Sequence, residues 1–528
     1  MPRYHLGLDS STQSLTGVVI DLDTGRVVCS RSVNFSETFP EYGTIDGVLR
    51  GADPHIVHAP PRLWLDALDR LLDRMRADGA PFAELDAVSG SGQQHGSVYL
   101  NETTTDALAR LDPARPLSEN LAGIFSRPTA PVWMDASTAR PCADITAALA
   151  AHGGVIAATG SAATLRFTGP QIRKFWQEDP EAYQSTRHIA LVSSFMCSVF
   201  SGKIAPIDPG DGAGMNLMDI RERSWHPMAL KATAPGLAAR LPQLASSGTV
   251  IGPVTHYFVA RHGFHPNARS VIWSGDNPCS AAGLGLIHAG MVAISMGTSY
   301  TYFGTMAACR VDPNGTGHVL GCPTGGYLSL LCFQNGGLAR ARVRDRYSLD
   351  WEGFRRAMAS VPPGNHGRLM LPWFDVEIVP AVTRAGVHRL DLDEGDAAGN
   401  CRALVEAQML AMKRHADWMQ TPADLIYATG GASEDRSVLQ VMADVFQCPV
   451  QTAPTTKSAA LGAALIAAQA TAGITWPELA ARFIPADPAR RIAPDPSTAK
   501  TYKALLARYT AFEHQTLATL RRHHAPDP

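Results

Sequence analysis

The chain has 528 residues, of which 45% are hydrophobic and 18% charged, with a net charge of −2. That length exceeds one ordinary core and predicts two domains of about 200 to 280 residues. The near-neutral charge excludes a nucleic-acid footprint.

The N-terminus enters a strand without a signal-type apolar block, and no stretch reaches the ~18 apolar residues of a membrane helix. The nine cysteines form no Cys-x-x-Cys pair and mostly fall in apolar runs, which predicts reduced, buried thiols and work in the cytoplasm.

In chain order, Tyr4 to Leu8, Thr16 to Asp21 and Val27 to Val33 read as a β-meander. The turn between the first two strands, Asp9 to Ser14, is made of small hydroxylated and polar residues. Its Ser11, Thr12 and Gln13 can offer backbone N–H groups and side chains to an anion. Asp9 stands at the strand end, where a hydrated Mg²⁺ could bridge it to phosphate. Taken singly, such a turn is also an ordinary hairpin closed by its own side chains.

Leu63 to Met75 has helical apolar spacing, and Leu85 to Ser89 is the next strand. The segment after it, Gly90 to Gly96, carries Gln94 and His95, hydrogen-bonding side chains suited to a polyhydroxylated substrate. Its glycines are spaced one residue too wide for a dinucleotide fingerprint. Between Asn101 and Pro131 the sequence turns polar and reads as a surface excursion. The Pro131 to Thr138 run then sets Trp133 beside Asp135, a pairing used for sugars, or equally a core Trp beside a helix cap. Arg166 precedes a predicted helix and could donate a forked pair of hydrogen bonds to sugar hydroxyls. An Arg in that position is, taken alone, more often a surface residue.

The strand Ser270 to Ser274 leads into Gly275-Asp276-Asn277-Pro278, and a helix of small residues is predicted over Ala281 to His288. A helix N-terminus favours an ionised carboxylate, so Asp276 reads as a proton acceptor at neutral pH or as a plain helix cap. A second hydroxylated hairpin follows at Gly297, Thr298 and Ser299. Two such turns, one in each half, suggest a polyphosphate gripped from both sides. Further strands at 327 to 333 and 425 to 428, and helices around 351 to 359, 400 to 418 and 458 to 470, repeat the plan. The Ala428 to Asp435 run, with Gly430 and Gly431, lets a flat ring approach the backbone. Thr501 to Arg522 reads as a helical tail, with His523 and His524 solvated beyond it. No P-loop lysine motif, His-Glu-x-x-His or Cys/His cluster is present in the sequence.

In order and over nearly the whole chain, these segments resemble the FGGY carbohydrate kinases, and among them the eukaryotic-type xylulokinase branch. Ser89 to Gly96, Pro131 to Thr138, Arg166 to Gly169, Leu191 to Phe195, Ile207 to Leu217, Gly275 to Pro278, Leu331 to Phe333 and Ala428 to Ser433 carry the resemblance. It implies an α/β fold of two ribonuclease-H-like (actin-like ATPase) domains, residues 1–284 and 285–528, flanking a catalytic cleft. It also implies transfer of the ATP γ-phosphoryl group, with Mg²⁺, to the terminal hydroxyl of a five-carbon ketose such as D-xylulose.

By the same resemblance Asp276 is the base, and Asn277, His95 and Arg166 contact the sugar. Asp9 lies near metal and phosphates, and Trp351, Gly431, Ala432 and Asp435 fall at the adenosine site. Position 435 departs from the relatives, which carry Asn there. Another ketose or polyol such as ribulose, or a non-catalytic actin-like module, are the alternatives. The expected partners are the sugar and MgATP, without nucleic acid or membrane, in a monomer or homodimer.

Overall fold

The computed structural model describes residues 3–453, 457–485 and 487–522. The expectation for His523 and His524 therefore lies outside the described residues.

Strands β1 (Tyr4–Ser10), β2 (Ser14–Asp21) and β3 (Arg26–Asn34) form the expected antiparallel meander. Helix α1 (Pro61–Ala77) opens on a proline, whose missing N–H costs nothing in a first turn. It buries Leu63, Leu68, Leu71, Leu72 and Met75 in the core beneath that sheet. Strand β4 (Leu85–Gly92) runs parallel to β1. It continues through Gly90 to Gly92, which the sequence suggested was loop. Gly90 pairs with Leu8, and no side chain fits there because the Trp273 ring would stand 2.4 Å from a Cβ.

Strands β5 (Val250–Pro253), β6 (Arg269–Val271) and β7 (Ser274–Gly275) complete a seven-stranded sheet in the order β5-β6-β4-β1-β2-β3, with β7 on β4. Helix α2 spans Asp276–Gly283 and not the expected Ala281 to His288. Pro278 sits where no intrahelical N–H is needed, so the helix can begin at once, and Gly285, at φ 78°, turns the chain after it.

The second half repeats the plan with β8 (Met291–Met296), β9 (Tyr300–Met306), β10 (His318–Gly321), β11 (Tyr327–Phe333), β12 (Leu425–Thr429), β13 (Val450–Thr452) and β14 (Arg491–Ile492). Their order is β10-β11-β9-β8-β12-β13-β14, again an antiparallel meander followed by a parallel strand. Helices α3 (Trp351–Ala359), α4 (Ala397–His415) and α5 (Arg436–Phe446) belong to this half, and α7 (Ala499–Arg522), the expected tail, packs Tyr502, Leu505 and Tyr509 into its core.

The helix between α5 and α7, α6 (Ser458–Ala472), packs on the first sheet. Its Ala460, Leu461, Ala464 and Leu465 join Val18, Ile20 and Leu22 in one cluster. Small residues let it come close: a Cβ on Gly462 would stand 1.8 Å from the Cys279 carbonyl, and one on Gly283 1.9 Å from that of Ser458.

The 101–130 segment also differs from expectation. Its Leu108, Leu117, Leu121 and Ile124 are core residues of the first half, and Leu117 N–H donates to buried Asp69. All nine cysteines are free and six are buried. Among the described residues no helix is long and apolar enough to cross a membrane.

Candidate active site

Strands β1, β4 and β7 are parallel and in register at their ends, Ser10 and Gly275 both pairing with Gly92. Their carboxyl edge therefore gathers Asp9, Ser91 and Asp276. Ser91 Oγ donates to Asp9 Oδ1 at 2.7 Å. Asp276 Oδ1 accepts from the Asn277 N–H at 2.8 Å and from Asn277 Nδ2 at 3.1 Å, and that same Nδ2 donates to Gln94 Oε1 at 2.6 Å.

Burial, and then the neighbouring Asp9 carboxylate, push the Asp276 pKa up to about 7. Burial raises that of Asp9 to about 6 against the Ser91 hydrogen bond. The helix-terminus argument favoured the ionised form and a ready proton acceptor at pH 7. Desolvation and like charge outweigh the end of an eight-residue helix, and the acid is poised near neutrality instead.

His95 adopts φ 72°, and its ring stacks on Phe167 with centroids 4.3 Å apart. Its Nδ1 lies 2.9 Å from the Gly214 carbonyl and therefore donates, leaving Nε2 as the acceptor. Burial and then the Arg166 charge hold its pKa well below the ordinary range, so the ring is neutral. The Arg166 charge acts on His95, and on His318 and Cys332 in β10 and β11 of the second half. Gln94 Nε2 donates to the Gly210 carbonyl at 3.2 Å.

Asp135 departs from the expected sugar contact. It is fully buried, and it accepts from Val57 N–H at 3.0 Å, Gln171 Nε2 at 2.7 Å and Ser137, with His58 at 3.6 Å. Burial raises its pKa, but these donors more than offset that and hold it below the ordinary value. Its carboxylate is occupied in bracing the loop. Its neighbour Trp133 is 45% exposed and donates from Nε1 to Thr12 Oγ1 at 2.8 Å.

The first turn is more self-contained than its composition suggests. Ser11 donates from both N–H and Oγ to the Ser14 carbonyl, Thr12 Oγ1 donates to Gln93 Oε1 at 3.3 Å, and only Gln13 is exposed. In the second turn Gly297, Thr298 and Ser299 are all exposed, and Gly337 N–H donates to the Gly297 carbonyl at 3.0 Å.

Gly297 lines a cleft of about 510 Å³ with Trp351, Gly431, Ala432 and Asp435, bringing together residues expected around adenosine. A neighbouring cavity of about 960 Å³ carries Thr429, Gly430, Ser433 and Ser458. Ser458 begins α6 and bonds Ser280 on α2, the helix that starts at Asp276. Asp435 lines the cleft, but its Oδ1 caps α5 through Ser437 N–H at 3.0 Å and Val438 N–H at 3.4 Å.

Sequence reading missed Ser91, Asp211 and Arg340. Ser91 had a signal, since it faces Asp9 directly in the parallel ladder of β1 and β4. Arg340 is 7% exposed, lies over the Tyr300 ring and faces the nucleotide-side cleft with its Nε unpaired. Nothing in its local sequence, one arginine among several on a helix, announces that position.

Two family models, described as the N-terminal and C-terminal domains of the FGGY family of carbohydrate kinases, match residues 128–283 and 292–471. The chain is 40% identical to a xylulose kinase of Rattus norvegicus over 98% of each chain, and 40% identical to xylulose kinase 2 of Arabidopsis thaliana over 88% of this chain and 86% of that one. The crystal structure of a xylulose kinase from Rhodospirillum rubrum superposes with a TM-score of 0.82, covering 98% of this chain and 99% of that one at 19% identity. At that identity the likeness shows the fold, two sheet-bearing domains of the actin-like ATPase type. The chain belongs to the FGGY family of carbohydrate kinases and is a phosphotransferase.

Proposed function

We propose that this kinase transfers the γ-phosphoryl group of ATP to the terminal hydroxyl of D-xylulose, giving D-xylulose 5-phosphate. The observation that carries the reading is the Asp276 carboxylate, poised near neutral pH and tied through Asn277 to Gln94, at the strand edge shared with Asp9. The names of the rat and Arabidopsis relatives support xylulose as the acceptor.

Asp276 orients the terminal hydroxyl and takes its proton. In a loose transition state that proton moves late, so positioning does most of the work. Asn277 commits its Nδ2 to Gln94 and Asp276, which leaves its Oδ1 for a sugar hydroxyl. The neutral His95 offers Nε2 as an acceptor beside it, and Arg166 adds donors from the other wall of the cleft. Asp135 holds the Trp133 loop in place. The cleft with Trp351, Gly431, Ala432 and Asp435 suits adenosine, and the exposed Gly297 to Ser299 turn suits phosphate. The domains divide at 284/285, since each sheet draws all its strands from one side of that line.

Asp9 fits a hydrated Mg²⁺. It is a single hard oxygen donor at a strand end, with Oδ1 steadied by Ser91, and among the described residues no cluster of three or more His, Cys, Asp or Glu forms a protein cage for a metal. Bound Mg²⁺ would neutralise charge on the β- and γ-phosphates.

A coupled ADP-release assay across pentuloses and polyols tests the substrate, with D-xylulose expected to give the highest kcat/KM. A higher value for ribulose would reassign it. Asp276→Ala should lower kcat by about 10²- to 10⁴-fold, the worth of a general base, with sugar binding partly retained.

A further inference from the structure

Behind the base lies a second acid that the reaction as described does not use. Asp211, in the short turn Pro209–Gly212, is 1% exposed. Its Oδ2 accepts from Ser193 Oγ, and its Oδ1 meets no partner. The charged groups acting on it are Asp276 and Asp208, both acidic, and the buried Cys279 thiol lies in the same field. Burial first, and those carboxylates after it, hold its pKa well above the carboxylate range, which favours the protonated form.

Gln94 stands between this acid and the base. Its Nε2 donates to the Gly210 carbonyl and faces Asp211, while its Oε1 accepts from Asn277 Nδ2, which donates in turn to Asp276 Oδ1. Gln94 packs flat against Gly275, its Cγ lying 2.5 Å from where a Cβ there would be. A flipped amide would set oxygen against the Gly210 carbonyl and NH₂ against NH₂ of Asn277, losing both bonds.

We propose that Asp211 is a positioning residue for phosphoryl transfer: from behind Gln94 it fixes, through Asn277, the direction of the Asp276 carboxylate. The proposal rests on Asp276 being the base. Held toward its uncharged form, Asp211 presents a polar face behind Gln94 without adding a third full negative charge beside Asp9 and Asp276. Asp208 anchors the same turn to the strand that delivers the base, accepting from Ser274 Oγ at 2.5 Å and Gly210 N–H at 2.7 Å.

The test compares Asp211→Asn, which keeps an uncharged polar group, with Asp211→Val, which removes it, alongside Asp276→Asn. Steady-state kinetics would be read from about pH 5.5 to 9. Asp211→Asn is expected to keep kcat within about threefold and to leave the acid limb of kcat/KM in place, whereas Asp211→Val should lose about 10²-fold in kcat with the sugar KM little changed. A native kcat in Asp211→Val overturns the proposal. So does an acid limb moved down by about half a pH unit or more in Asp211→Asn, which would mean the wild-type residue is ionised. If Asp211→Val fails to fold, the Asp211→Asn rate and pH profile decide alone. Near-native turnover in Asp276→Asn would strike the base assignment itself, a result separable from either behaviour at position 211.

Discussion

The indole Nε1 of Trp133 donates to Thr12 Oγ1 at 2.8 Å, tying the loop after Pro131 to the turn between β1 and β2. Thr12 passes the contact to Gln93, two residues before His95. Removing the donor in Trp133→Phe loosens the turn at the cost of one hydrogen bond, about 0.5–1.5 kcal/mol. KM for ATP is expected to rise about two- to tenfold by that arithmetic. Because Trp133 is 45% exposed, the melting temperature should barely move. Steady-state kinetics and a thermal melt check both, and an unchanged KM would mean that the strand ladder alone orders the turn.

The raised pKa values of Asp276 and Asp9 predict the pH dependence of both rate and stability. The proposed base would work ionised, so kcat/KM should fall below about pH 7, the value to which Asp276 is pushed. The pair titrates together, so the limb reports both acids. For stability the direction is opposite. Each carboxyl is more basic folded than unfolded, so each stabilises the fold below its unfolded pKa, and that stability is lost as pH rises from about 4 through the folded values of about 6 and 7. Asp276→Asn should therefore raise the melting temperature by a few degrees at pH 8 and leave it nearly unchanged at pH 4. Calorimetry at the two pH values reads the difference.

Asp435 caps α5 through Oδ1, while its Oδ2 lies 3.9 Å from Arg355. Asn caps a helix as well as Asp does, so Asp435→Asn should fold normally, whereas Asp435→Ala should cost about 1 kcal/mol. The nucleotide KM of the Asn variant shows what the carboxylate does for adenosine. A change beyond about fivefold would exceed what a partly exposed charge contact supplies and would mark direct recognition.

The crossing of α2 and α6 leaves no space for a side chain. A Cβ at Gly462 would meet the Cys279 carbonyl at 1.8 Å, and that atom is backbone, which cannot rotate away. Gly462→Ala must push the helices apart at the start of the helix that presents Asp276. It should cost about 1–3 kcal/mol, as overpacking does, despite the better helix propensity of alanine. Denaturant unfolding tests it, and a neutral or stabilising result would show that the crossing yields freely.

What the sequence determined alone was the periodic and the local. The meander of Tyr4 to Val33, the helix around Leu63 to Met75 and the strand before Gly430 were legible because alternation and helical spacing record which face is buried. The Gly275 to Pro278 loop and the hydroxylated turn at Gly297 were legible as turns at strand ends because small and polar residues interrupt the apolar runs there. Tertiary structure decided the rest. Whether Gly90 to Gly92 is strand or loop depends on their pairing with β1 and with β7, strands distant in sequence, and whether the 101–130 segment is surface or core depends on α1 beneath it. The Asp135 carboxylate, readable as a sugar contact, is consumed by donors from Val57 and Gln171. The charge state of Asp276 depends on burial and on Asp9, 267 positions earlier, which a helix-end argument cannot contain. Desolvation and through-space charge are properties of the packed interior, and only the folded chain creates that interior.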